Sequence, residues 1–199
     1  MESVKKEGIN PIMSPQIHVD EFDAGTPLVY TAETCEAPQI KLNNYKKAVQ
    51  DITAKTKIVV PGKEQAKPSM DELVKAIMDQ SEVKIPRIIV QQEATRLLSQ
   101  TLDELKSLGI TLDQYLASRN KDADGLKKEY EEKAEQDLKL EFVLRKIADE
   151  EKITVEPKDI EEALKAITDQ KQRETVAQNP YLVAAIIRQQ KTLDFISKL

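Results

Sequence analysis

The sequence contains one histidine, His18, and one cysteine, Cys35, the first places to look for metal binding or nucleophilic attack. His18 stands in an alternating stretch with no cysteine or second histidine at ligand spacing, so a metal site is not expected there. Cys35 has no basic neighbour in sequence and no histidine partner of the usual kind. It reads as a small half-buried side chain rather than a nucleophile. Carboxylates are abundant, as in "EEKAEQD" and "DEE", but they fall on helical stretches rich in lysine. There they act as solvating charges or i,i+4 partners. No G-x-G-x-x-G, Walker loop or H-E-x-x-H is present. These absences leave catalysis and cofactors without residues to carry them, and binding becomes the expected role.

The composition describes the frame. One third of the 199 residues are charged, 4% are aromatic, and there are 5 Gly and no Trp. Such a chain fits neither an all-β sandwich nor a glycine-loop nucleotide enzyme; it fits amphipathic helices in an elongated, mainly α architecture. The net charge of −5, with both signs interspersed, gives no general attraction to nucleic acid. No apolar run reaches the roughly 18–20 residues needed to cross a bilayer. With a lone cysteine and no basic-then-apolar leader, the expected location is cytosolic.

Three regions are expected. Residues 1–37 carry two alternating runs around "DAGTP", Gln16–Phe22 and Leu28–Glu33, which read as a β-hairpin. Residues 38–68 lack a period and read as an extended linker, with "IVV" at 58–60 as a short strand and "PGKEQAKP" as a turn. From Ser69 onward the chain reads as helical. Ser69 with Glu72, and Thr111 with Gln114, form capping boxes. Pro86, Pro157 and Pro180 stand at helix starts, where the missing N–H costs nothing. Gly109 is expected as a left-handed cap, and Asp122 or Asp124 opens a long helix carrying Leu126, Tyr130, Ala134, Leu138, Val143, Leu144, Ile147 and Ala148 inward. In the last helix Leu182, Ala185, Ile186, Leu193 and Ile196 are expected inward.

In "KIPRIIVQQEATRLLSQTLDEL", from Lys84 to Leu105, Val90, Ala94, Leu97, Leu98, Thr101, Leu102, Leu105 and then Leu108 fall within a sector of about 140°. That sector is a core stripe, and Ile88 extends one edge. Ile89 lies nearly opposite. Either it meets a neighbouring element at the crowded helix start, or it forms exposed apolar surface for a partner; the period separates neither.

Several blocks carry a family likeness: "VKIPRIIVQQEATRLL", "GITLDQYL", "YEEKAEQDLKLEFVLRKIADEEKITVEPKDIEEAL" and "RQQKTLDFI", in that order. Together they resemble the C-terminal, substrate-binding domain of bacterial trigger factor, a ribosome-associated chaperone. "INPIMSPQIHVDEFDAGTPLVYTAETCEAPQIKLNNYK" resembles the end of that family's ribosome-binding domain. The resemblance implies a helical cradle, shared in outline with SurA-type periplasmic chaperones, that holds unfolded or nascent polypeptides without ATP or any cofactor. The family's docking loop, G-F-R-x-G-K-x-P, has no counterpart here, so the resemblance does not carry ribosome contact over to these residues. Its isomerase domain of roughly a hundred residues would fall between Tyr45 and Ser69, where about two dozen residues stand. Isomerase activity is therefore not expected. Met1 would begin inside the family's preceding helix, as a reduced chaperone or a fragment of a longer one. Candidate client contacts are Ile89, Leu102, Phe142, Tyr181 and Ile187, with Phe142 and Ile187 chosen because they stand off the main stripes of their helices. Ordinary core packing is the alternative at each. No nucleic-acid or membrane partner is expected. A homodimer through the hairpin edges is a further expectation, and an adaptor for one folded partner is the rival function.

Overall fold

The computed structural model describes residues 8, 10–21, 29–56, 68–167 and 170–199. Its elements run β1 (Gln16–Glu21), β2 (Val29–Glu33), β3 (Ile40–Leu42), α1 (Tyr45–Thr56), α2 (Met70–Asp79), β4 (Ser81–Val83), α3 (Arg87–Ser107), α4 (Leu112–Ser118), α5 (Ala123–Glu150), α6 (Pro157–Ala166), α7 (Gln170–Ala177) and α8 (Pro180–Ile196). The protein is mainly α, as its composition predicts, with two small antiparallel pairings, β1–β2 and β3–β4.

The helix boundaries follow local chemistry. Ser69 and Glu72 exchange side-chain-to-backbone bonds at the start of α2, and Thr111 and Gln114 do the same at α4, so two otherwise orphaned N–H groups are satisfied at each. Asp122 Oδ1 accepts the Gly125 N–H at 2.7 Å and caps α5. Pro157 and Pro180 open α6 and α8. Pro86 stands one residue outside α3, in extended geometry, with Arg87 as the first helical residue.

Three helices end alike. After α3 the chain turns left-handed at Gly109 (φ 70°), and Ile110 N–H donates back to Leu105 O at 2.9 Å. After α4 the left-handed residue is Asn120 (φ 51°), with Lys121 N–H on Leu116 O at 3.1 Å. After α5 it is Lys152 (φ 54°), with Ile153 N–H on Ala148 O at 2.8 Å. The six-residue back-bond satisfies a terminal carbonyl and reverses the chain within two residues.

One expectation is corrected by this architecture. Residues 38–68 are not extended throughout: α1 occupies Tyr45–Thr56, and β3 pairs Ile40 with Val83 and Leu42 with Ser81. The apolar residues Tyr45, Val49 and Ile52 follow helical spacing and pack in a core, which selects helix over strand here. The expected strand at 58–60 and the turns at 23–27 and 61–67 lie outside the described residues.

The chain forms two compact units, each assembled from two separate stretches. The first comprises 1–39 and 84–138. Its core joins Val90 and Ala94 of α3 to Leu126, Tyr130 and Ala134 of α5, with Tyr115 and Leu116 of α4 against them. Tyr130 keeps its hydroxyl paired with Thr101 Oγ1 at 2.7 Å. The second comprises 40–83 and 139–199. Its core joins Tyr45 and Val49, Leu73 and Ile77, Val143, Leu144 and Ile147, and Ile196 of α8. The inward face expected for the long helix is the observed one, from Leu126 to Ala148.

Candidate polypeptide-binding surface

His18 and Cys35 are placed apart from any constellation. His18 is exposed on β1, while Cys35 is half-buried, and burial together with the nearby Glu33 carboxylate pushes its thiol pKa up. A protonated thiol is a poor nucleophile. Among the described residues no group of three or more His, Cys, Asp or Glu stands where it could hold a metal ion, and no helix is long and apolar enough to cross a membrane.

The surface that stands out is apolar and lies on α8. At about 100° per residue, Tyr181, Leu182, Ala185 and Ile186 fall in one sector of about 140°, and Thr192, Leu193 and Ile196 share it. The C-terminal part of that stripe is in the core, with Thr192 and Ile196 fully buried. Its N-terminal part is open: Tyr181 is 88% exposed, Leu182 57% and Ile186 59%. Leu182, Ala185 and Ile186 are therefore outside, against the inward expectation. The period reads the stripe but not its cover, because the second unit's core reaches only the last two turns of α8. In the first half of the helix the buried side chain is Val183, on the opposite side.

Polar anchors fix the rotation of α8. Arg188 donates to Ile153 O at 2.8 Å and to Asp149 Oδ1 at 2.6 Å. Lys191 pairs with Asp159 at 2.5 Å and reaches Thr154 O at 3.4 Å. Both residues grip the turn between α5 and α6, whose shape the left-handed Lys152 sets. The Lys191 ammonium and the Glu156 backbone N–H hold the Asp159 carboxyl below its usual range. No ionised side chain occurs between Thr175 and Ile187, so the exposed strip is uncharged along its whole length.

Of the residues singled out in the sequence, Tyr181 is fully exposed. Ile187 on the same helix is half-buried, as is Phe142 on α5, while Ile89 and Leu102 on α3 of the first unit are also half-buried. Sequence reasoning missed Leu182 and Ile186 as surface. It also missed Leu108, which it assigned to the α3 stripe; Leu108 is exposed beside Ile110 and Leu112 at the α3–α4 turn. The run "YLVAAII" was the available signal: seven uncharged apolar residues surround that part of the helix, more than one buried face can absorb.

The family model for the bacterial trigger factor C-terminus matches residues 62–198. The chain belongs to the bacterial trigger factor family. A second trigger factor model matches residues 1–73, so the two overlap over residues 62–73. The trigger factor of Carboxydothermus hydrogenoformans is 30% identical over 201 aligned residues, covering 92% of this chain and 47% of that protein. That of Natranaerobius thermophilus is 34% identical over 97 residues, covering 49% and 22%. The chain thus spans less than half the length of these trigger factors. A solved structure described as domains of trigger factor from Thermotoga maritima aligns with a TM-score of 0.49 at 19% identity, over 65% of this chain and 79% of that one.

Proposed function

We propose that this chain is an ATP-independent holdase that shields apolar segments of unfolded or nascent polypeptides. The observation that carries this reading is the uncharged strip Tyr181–Leu182–Ala185–Ile186, an extension of a core stripe beyond the core that would cover it. Trigger factor family membership supports the assignment. So does the setting: aliphatic contacts on a heavily charged frame bind many sequences weakly and release them, as a holdase requires. Residues 69–199 are the client-binding body in this proposal, and residues 1–37 are a remnant of a ribosome-binding domain. The two family matches overlap, with no interval between them for an inserted catalytic domain. Cis/trans exchange in a proline peptide should accordingly proceed at its uncatalysed rate.

The test is light scattering from a chemically denatured client diluted into buffer without nucleotide. The chain should suppress aggregation, and the triple variant Tyr181→Ser, Leu182→Ser, Ile186→Ser should need about three times more protein for the same effect at an unchanged melting temperature. Three exposed apolar side chains contribute binding area but little to the fold. Absence of suppression by the unmodified chain at several-fold molar excess sinks the proposal. A panel of unrelated denatured clients separates it from an adaptor, which should ignore most of them.

A further inference from the structure

In the first unit, α4 is lightly held, and its attachments fall at one place. From Lys106 to Asp124 every residue is exposed except Tyr115 and Leu116, which pack half-buried on the unit's core. The segment also keeps its backbone bonds to itself. Thr111 and Gln114 cap the helix start, and Lys121 N–H returns to Leu116 O. Among the described residues no backbone hydrogen bond joins residues 109–121 to α5. The chain reverses at either end of the segment, at the left-handed Gly109 and Asn120.

The polar ties from this segment to α5 converge. Glu129 Oε1 accepts from Arg119 Nη2 at 2.8 Å, and its Oε2 accepts from Lys121 Nζ at 2.7 Å. Arg119 also donates to the Tyr115 hydroxyl at 2.8 Å and lies 5.6 Å from the centre of that ring. The Tyr115 phenol meets that of Tyr130, which is paired with Thr101 of α3. Glu129 and Tyr130 are consecutive on α5, and Leu126 precedes Tyr130 by four residues on the same face. Leu126 and Tyr130 are both buried. The two ion pairs are partly exposed, so salt screens them. Displacing the segment thus breaks side-chain contacts and two ion pairs but no backbone ladder, the condition for local opening. We infer that residues 109–121 form a lid over the Leu126–Tyr130 turn, hinged at Gly109 and Asn120 and latched by Glu129, which opens as a piece while both cores stay folded. Such hinges absorb the motion in a few residues at element ends. The open lid adds Leu126 and Tyr130 to the accessible apolar surface. The geometry of the first unit carries this inference, independently of the holdase reading and of the α8 strip.

The experiment uses the full chain carrying Cys35→Ser and Leu126→Cys, and follows the reaction of the one thiol with DTNB under native conditions. Position 126 is 3% exposed, so a thiol there reacts through opening. Adding Glu129→Gln should speed labelling about fivefold at an unchanged urea midpoint. Raising NaCl to about 0.5 M should speed the chain that keeps Glu129 and leave the Glu129→Gln chain unmoved. Ala134→Cys, about two turns further along α5 in the same core, should label at one slow rate with or without Glu129→Gln. Amide exchange on the chain with Glu129→Gln alone gives a second reading, since it needs no buried substitution. Exchange over 112–121 should accelerate about threefold while 90–105 is unchanged. Leu182→Ser with Ile186→Ser should alter none of these rates, so failure of the lid and failure of the holdase are distinguishable. Equal acceleration at positions 126 and 134 would mean that the unit opens as a whole. That result, or no response to Glu129→Gln in either measurement, would overturn the inference.

Discussion

At the scale of single residues, the second unit depends on a few long polar side chains that close gaps the core does not fill. Arg188 satisfies the Ile153 carbonyl and the Asp149 carboxylate together, a two-point contact that a lysine cannot reproduce. Arg188→Ala should cost about 1–2 kcal/mol in urea unfolding, and Arg188→Lys should recover less than half of it. Glu151 accepts from the Tyr45 hydroxyl at 3.0 Å and pairs with Lys46 at 2.6 Å. The Lys46 ammonium holds the Glu151 carboxyl below its usual range, while burial and then the Glu151 bond push the Tyr45 phenol far up, so it stays a donor. Glu151 and Asp159 both ionise more easily folded than unfolded. Their contribution is therefore fully present above the unfolded carboxylate pKa and disappears as pH falls through the depressed folded values. Urea midpoints should drop between pH 6 and pH 3.5, and the drop should shrink in the Glu151→Gln, Asp159→Asn variant. None of these pairings was legible in the sequence. Tyr45 and Glu151 are more than a hundred positions apart, and a carboxylate in "DEEK" looks like every other solvated charge.

At the scale of elements, the ends of helices were read better than their faces. Ser69, Thr111, Pro157 and Pro180 signal their helix starts through chemistry confined to four residues, which is why they were readable. Gly109 was readable for the same reason; Asn120 and Lys152 were not, since neither side chain demands a positive φ. This difference can be measured. Gly109→Ala meets no atom within 4 Å, so its cost is backbone strain alone, about 1 kcal/mol by thermal unfolding. Lys152→Gly relieves the same strain and should stabilise by about 0.5 kcal/mol, against the usual penalty for adding glycine. Faces are harder because a stripe is a property of one helix and its burial a property of the neighbours. On α5, where both cores meet the helix, period and burial agree from Leu126 to Ala148. On α8 they agree only in the last two turns, and α7, with no apolar stripe in "QKQRETVA", gave no signal at all. The candidate site was legible in composition, as an apolar run without charge, and illegible in position, because nothing in "YLVAAII" says which residues are covered.

At the scale of the whole molecule, two cores drawn from interleaved stretches make a specific claim about cooperativity. Ile147 is fully buried in the second unit. Ile147→Ala should remove about 2–5 kcal/mol there. Amide exchange should accelerate over 40–56, 70–83 and 140–196 more than over 87–134, although α5 runs through both units. Equal acceleration throughout would mean the chain unfolds as one body.

The interleaving also sets a timetable for synthesis. Tyr45, Val49, Leu73 and Ile77 leave the ribosome well before the partners that bury them, Val143 to Ile147 and Ile196. At about 5–20 residues per second, that interval is on the order of ten seconds. During it the nascent protein carries the kind of bare apolar segment that the finished one is proposed to shield, so each new copy would itself pass through a stage as a client.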